Sequence, residues 1–190
     1  MAKANPKNPC KVITGPKTVF SYLTVNEPKA PMGGGTPKFS VSLVIPKSDK
    51  STYDKIQAAI KAAYEEGQGK LRGTGKSVPP LESLKQPLRD GDLKGDETYK
   101  NSWYVNANST TKPGVVDADC NPILDTSELY SGIIGRASIT FYAFNSSGNR
   151  GIACGLNNLQ KLADGTPLGG HSRAEDDFAD LDDEDDDFLN

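Results

Sequence analysis

Phe39, Val41, Leu43 and Ile45 alternate with Ser40, Ser42 and Val44 ahead of Pro46, and Ala137, Ile139, Phe141 and Ala143 alternate with Ser138, Thr140, Tyr142 and Phe144. A period of two sends each set to one face of a strand, so both stretches read as sheet with one buried side. Asn145-Ser146-Ser147-Gly148-Asn149 then reads as a hairpin turn into a further strand at Gly151 to Leu156. Val12 to Val25 reads as extended, broken at Gly15-Pro16, and Trp103 to Ser109, Gly114 to Val116 and Ile123-Leu124 add more β character. The period switches at Ser51 to Glu66, where Ile56, Ala59, Ile60 and Ala63 recur at helical spacing. Ser51 with Asp54 resembles a capping box there, and Gly67 is placed to end the helix.

Five or six strands and one main helix, with 19 Gly and 13 Pro to supply turns, predict a mainly β chain. The pattern suits an OB-fold-like barrel with long loops, whose open face and loops bind single strands. Residues 12–162 are expected to form that domain after a flexible 1–11, with 163–174 a Gly/Pro linker and 175–190 a disordered acidic tail. Residues 67–100 carry the weakest pattern, and a long basic loop inside a domain is more often functional than filler. No apolar run approaches a membrane span and the first residues lack the apolar core of a signal peptide, which predicts a cytosolic protein with no membrane partner.

Charge is divided unevenly along the chain. Residues 175–190 hold ten of the 25 acidic residues and no Lys or Arg, which leaves 15 acids against 22 Lys and Arg, or +7, in residues 1–174. The overall charge of −3 therefore hides a basic body. Such a body is the electrostatic footprint of a nucleic-acid binder, because cations displace the counterions condensed on phosphate. An anionic segment on the same chain competes for that surface, and a coil of about 16 residues spans roughly 20–24 Å, enough to reach back across its own domain.

Single-strand binding pairs a basic groove with outward aromatic rings, each stacked base contributing about 1–3 kcal/mol. Tyr104 shares a polar face with Asn106 and Asn108, and Tyr142 shares one with Ser138, Thr140 and Phe144. Tyr104 and Tyr142, with Phe144 beside the latter, are thus the candidate platforms, while Trp103 falls with Val105 and Ala107 on the apolar side. Arg72, Lys76, Lys85, Arg89, Lys112, Arg136 and Arg150 lie in loops or at strand ends, where they can track phosphates. Arg89 and Arg136 are preferred, since a guanidinium both pairs with phosphate and stacks on a base. Each side chain also has an ordinary reading, the ring as packing and the cation as a solvated charge.

Asp90-Gly91-Asp92 and Asp117-Ala118-Asp119 open an enzyme alternative, a Mg²⁺-dependent nuclease or junction-processing protein, although this spacing alone is a weak signal and the turn chemistry of Asp and Gly outweighs metal binding. The only histidine, His171, lies in the Gly-rich linker and argues against a triad. Cys10, Cys120 and Cys154 are widely separated and lack the spacing of a zinc site or disulfide framework. Gly33-Gly34-Gly35 fits neither a P-loop nor a dinucleotide fingerprint. No metal or other cofactor is expected.

Several segments together carry a resemblance: Glu27 to Pro31, Lys38 to Asp49, Pro87 to Asp92, Lys112 to Asp117, Tyr130-Ser131-Gly132 and Gly151 to Asn158. They resemble a bacteriophage family first catalogued as a domain of unknown function, which includes phage single-stranded DNA-binding proteins with an OB-fold, over about residues 12–178. The resemblance implies a non-enzymatic, sequence-independent single-stranded DNA-binding protein of phage DNA replication, recombination and repair, working in the cytoplasm of an infected bacterium. Asp185, Asp186, Asp187, Phe188 and Leu189 are similar to the tails of bacterial and coliphage single-stranded DNA-binding proteins, which implies recruitment of replication and recombination partners. This chain departs from those tails by carrying Leu189 and Asn190 after Phe188. A homodimer is compatible with the sequence.

Overall fold

A computed structural model describes residues 8–168, so the tail residues Asp185 to Leu189 lie outside the described part. In chain order the strands and helices are β1 (Lys11–Ile13), β2 (Thr18–Lys29), β3 (Lys38–Pro46), α1 (Lys50–Glu66), α2 (Gln68–Arg72), β4 (Leu88–Asp90), β5 (Ser102–Ser109), β6 (Gly114–Val116), β7 (Ile134–Ser146) and β8 (Asn149–Ala163). β2 pairs antiparallel with β3 and β7, β3 with β5, and β7 with β8, while β5 lies parallel to β8. These pairings return to their starting strand and close a five-membered ring, the OB-fold-like architecture expected from the pattern. The three-residue strands β1, β4 and β6 flank the ring on β7, β5 and β8. β1 and β6 coincide with the extended pieces read at Val12 and at Gly114 to Val116, β4 falls in the weakly patterned stretch, where no strand is expected, and Ile123-Leu124 forms no strand.

The inward set of each strand makes the core. Phe20, Leu43, Ile45, Val105, Ile139 and Phe141 are all buried, and α1 adds Ile56, Ala59, Ile60 and Ala63 from one face as it packs on β1 and β7. The helix begins earlier than the capping box predicts. Asp49 is the cap, its carboxylate accepting from the Thr52 N–H at 3.1 Å and the Thr52 hydroxyl at 2.6 Å. Thr52 Oγ1 in turn accepts from the Gly15 N–H, so the cap also ties α1 to the β1–β2 turn. Gly67 ends the helix as expected, its N–H donating to the Ala63 carbonyl.

Residues 67–100 are far more ordered than their pattern suggests. They form α2, β4 and three 3₁₀ turns at 81–83, 91–93 and 97–99, pinned by the buried Leu71, Leu84 and Tyr99. Isolated anchors of this kind produce no periodic signal. The β7–β8 hairpin closes through Ser147 and Gly148, with φ of 51° and 86°, between the paired Ser146 and Asn149. Two consecutive left-handed residues match the twist of the strands they join.

Candidate nucleic-acid interface

Register places the first candidates together. Val44 of β3, Tyr104 of β5 and Arg89 of β4 stand opposite one another, and directly paired residues project to the same side of a sheet. Tyr104 and Arg89 therefore share the outward face of the ring, with Tyr104 half-buried and Arg89 exposed. Ser42 and Val44 lie on the same outward face yet are buried, contrary to the half-exposed strand expected there. Residues 91–99 fold over that face, and the Tyr99 hydroxyl donates to Ser42 Oγ at 3.1 Å. The Tyr104 ring meets the Tyr99 ring edge-on at 5.1 Å, which fixes its tilt.

A third ring joins them that sequence reasoning missed. Between the pairs Ser21–Ser42 and Thr24–Ser40 the β2 register gains one residue, and Tyr22 in this bulge adopts φ of 47°. Its side chain is 65% exposed. The Lys94 ammonium stands 4.0 Å from the Tyr99 ring centroid, 5.0 Å from that of Tyr104 and 5.3 Å from that of Tyr22, which locates all three rings around one point. No alternation in Thr18 to Val25 announces a bulge, and Lys94 sits in the weakly patterned stretch. The left-handed Tyr22 has no signal in the sequence at all, since Gly or Asn is the usual occupant of such a site.

A second group of cations gathers at the β7–β8 tip. The Asn145 amide donates to the Lys70 carbonyl at the end of α1–α2, the Lys85 N–H donates to the Arg150 carbonyl, and the Arg150 guanidinium passes over Gly73. Lys85 and Arg150 are thus brought to α2, which carries Lys70 and Arg72, and Lys85 leads along the chain to Arg89. The Arg150 Nε is buried without a partner. Lys76 lies in the exposed turn that follows α2. Arg136 is exposed but pairs with Gln160, and Lys112 precedes β6, which pairs with Asn158. From Gly151 to Gln160 is about 30 Å of strand, so these two cations stand apart from the tip group.

Tyr142 projects outward, 44% exposed, from β7 opposite Ala153 of β8. It is therefore on the far side of β8 from Tyr104 rather than beside it. Phe144 is half-buried, its ring over Gly151 and near Lys85. Trp103 packs as expected, 5.0 Å from the Tyr53 ring of α1, with Lys47 Nζ 4.7 Å from its own centroid.

The paired acids are engaged in holding turns. Lys47 bridges Asp90 at 2.8 Å and Asp92 at 2.6 Å, and these contacts hold both carboxyls below their ordinary value. Asp92 also accepts from the Asn101 N–H, while Asp117 Oδ1 accepts from the N–H groups of Asp119 and Asn121. Burial and the neighbouring Glu66 push the Cys10 thiol up to about 11, and burial raises Cys154 further, so neither is a ready nucleophile. A concavity of about 670 Å³ between α1 and residues 80–82 offers Lys61 against Glu65 and Glu82, a poor match for phosphates.

The described chain leaves the body close to the bulge. The Leu168 N–H donates to the Ser131 carbonyl, and the Ser131 hydroxyl accepts from the N–H of Leu23, next to Tyr22.

The profile of a family described as Enterobacter phage Enc34, ssDNA-binding protein, matches residues 10–189. Over 170 residues the chain is 28% identical to putative protein p50 of Acyrthosiphon pisum secondary endosymbiont phage 1, covering 85% of this chain and 89% of p50. Among solved structures it is similar to the single-stranded DNA-binding protein from bacteriophage Enc34 in complex with ssDNA, with a TM-score of 0.67, 22% identity, and 84% and 90% of the two chains covered. It is also similar to gp2.5, a single-stranded DNA-binding protein encoded by bacteriophage T7, with a TM-score of 0.56, 16% identity, and 92% and 96% covered. At these identities the structural likenesses establish the fold.

Proposed function

The chain belongs to the Enc34 family of phage single-stranded DNA-binding proteins, and from that premise we propose that it binds single-stranded DNA without sequence preference and performs no catalysis. The observation that carries this reading is the convergence of Tyr22, Tyr104 and Lys94 beside Arg89 on one outward face of the ring. Bases stack on Tyr104 and Tyr22, phosphates follow Arg89 and the Lys85–Arg150 tip, and Tyr142 with Phe144 extends the path across β8. Stacking tolerates every base because each offers a π-face, whereas the cations read only the backbone.

In this reading the protein serves phage DNA replication, recombination and repair in the cytoplasm of the infected host. Its acidic tail competes with DNA for the basic face, and Phe188 and Leu189 present an apolar handle to partner proteins. Exit of the chain beside the Tyr22 bulge favours the competition, because the anionic run starts seven residues after Leu168. The test is fluorescence anisotropy of labelled oligo-dT with Tyr104→Ala and Arg89→Ala variants. Each is expected to weaken binding at low salt, and wild-type affinity in both would remove this face from the reading.

A further inference from the structure

Lys94 occupies the space that the stacking reading assigns to a base. Its ammonium lies within 5.3 Å of three ring centroids, and none of the ion pairs among the described residues involves it. The rings are thus its partners, through attraction of the cation to their negative faces. The base of its stem is fixed. Lys94 closes the 91–93 turn with its N–H on the Gly91 carbonyl, and Gly91 is wedged so tightly that a Cβ there would meet the Tyr99 and Ser102 carbonyls at 2.2 and 2.6 Å. Asp92 beside it is held by Lys47 and the Asn101 N–H. Tyr99 is fully buried and bonded to Ser42, so it stays in place as well. What can move is the four-carbon side chain of Lys94 and the exposed Tyr22 ring.

We propose that Lys94 is a resident ligand of the tyrosine cage that an incoming base displaces and that then pairs with the phosphate accompanying that base. The proposal rests on Tyr22 and Tyr104 being the platform. It makes Lys94 a specificity-determining residue, because the exchange is favourable only for a ligand that offers a π-face and an anion together. A nucleic-acid strand has both. An uncharged aromatic leaves the ammonium without a counterion, and a strand of phosphates without bases leaves it over the rings.

The test is NMR of the full-length protein labelled at lysine Cε, with Lys94→Arg to assign its signal and anisotropy measured on the same samples. In the absence of DNA the Lys94 ε-methylene is expected upfield of the exposed lysines through ring currents. It should move to the position of those lysines on saturation with oligo-dT, and stay upfield on saturation with an abasic strand of equal length. Lys94→Met should in addition lower the log–log salt slope by about 0.7, the value for one phosphate on a single strand. A Lys94 signal that does not shift while oligo-dT binds, or that shifts equally with the abasic strand, overturns the exchange. If Tyr22→Ala and Tyr104→Ala bind oligo-dT like the wild type, the platform itself is wrong, and anisotropy reports that separately.

Discussion

Tyr22 holds a backbone conformation that its side chain disfavours, φ of 47° inside a bulge, and it leaves most of its ring in water. A non-glycine residue there is strained by roughly 1–2 kcal/mol. Strain retained at an exposed ring points to function, and it yields a divergent expectation for one substitution. Tyr22→Gly should leave the melting temperature unchanged or higher while weakening oligo-dT binding, in line with a stacked base worth about 1–3 kcal/mol. Thermal denaturation and anisotropy on the same preparation measure the two effects, and a lower melting temperature with unchanged affinity would make Tyr22 structural. Tyr104→Ala should weaken binding by a similar amount. Tyr104 was legible because alternation gives the face of a strand residue directly, whereas Arg89 stands out by its guanidinium in a basic loop and not by any period. Tyr22 and Lys94 were not legible, since a bulge shifts the period by one and a 3₁₀ turn has too few residues to display one.

At the scale of elements, β4 pairs with β5 through three residues, and the bridge from Lys47 to Asp90 and Asp92 ties its end to the residue that follows β3. Both carboxyls sit below their ordinary 3.8, so the bridge is intact above that value and is lost as pH falls through the depressed one. Lys47 is raised above 10.5, so its share persists to that pH and is lost as pH rises through the raised value. Trp103, the single tryptophan, lies under Lys47 and reports the event. Its fluorescence should be steady down to pH 3.8 and change below it, and Lys47→Met should remove that change. A second expectation concerns β7. Because Tyr142 stands across β8 from Tyr104, Tyr142→Ala should weaken binding of a strand of about 16 nucleotides and leave one of about 4 unaffected, when titrated side by side. The ring of strands and the amphipathic α1 were readable from their periods. The order within residues 67–100 was hidden because Leu71, Leu84 and Tyr99 anchor it singly.

The whole molecule joins a body of +7 to ten carboxylates in its last sixteen residues. On the body, Arg89 stands beside the tyrosine cage and further cations gather at the β7–β8 tip, while the paired acids of the described residues are bound up in turns and in the Lys47 bridge. Removing residues 175–190 should therefore strengthen DNA binding, most at low salt, because screening weakens the competing tail and the DNA contacts alike. The most direct measurement is the affinity of the full chain and of a truncation ending at Ala174 for oligo-dT between about 50 and 300 mM salt. Both should bind, with log affinity falling by about 0.7 per phosphate for each unit of log salt and the truncation at least as tight as the full chain throughout. Affinity independent of salt, or a truncation that binds no single-stranded DNA, would contradict a basic aromatic face opposed by its own tail.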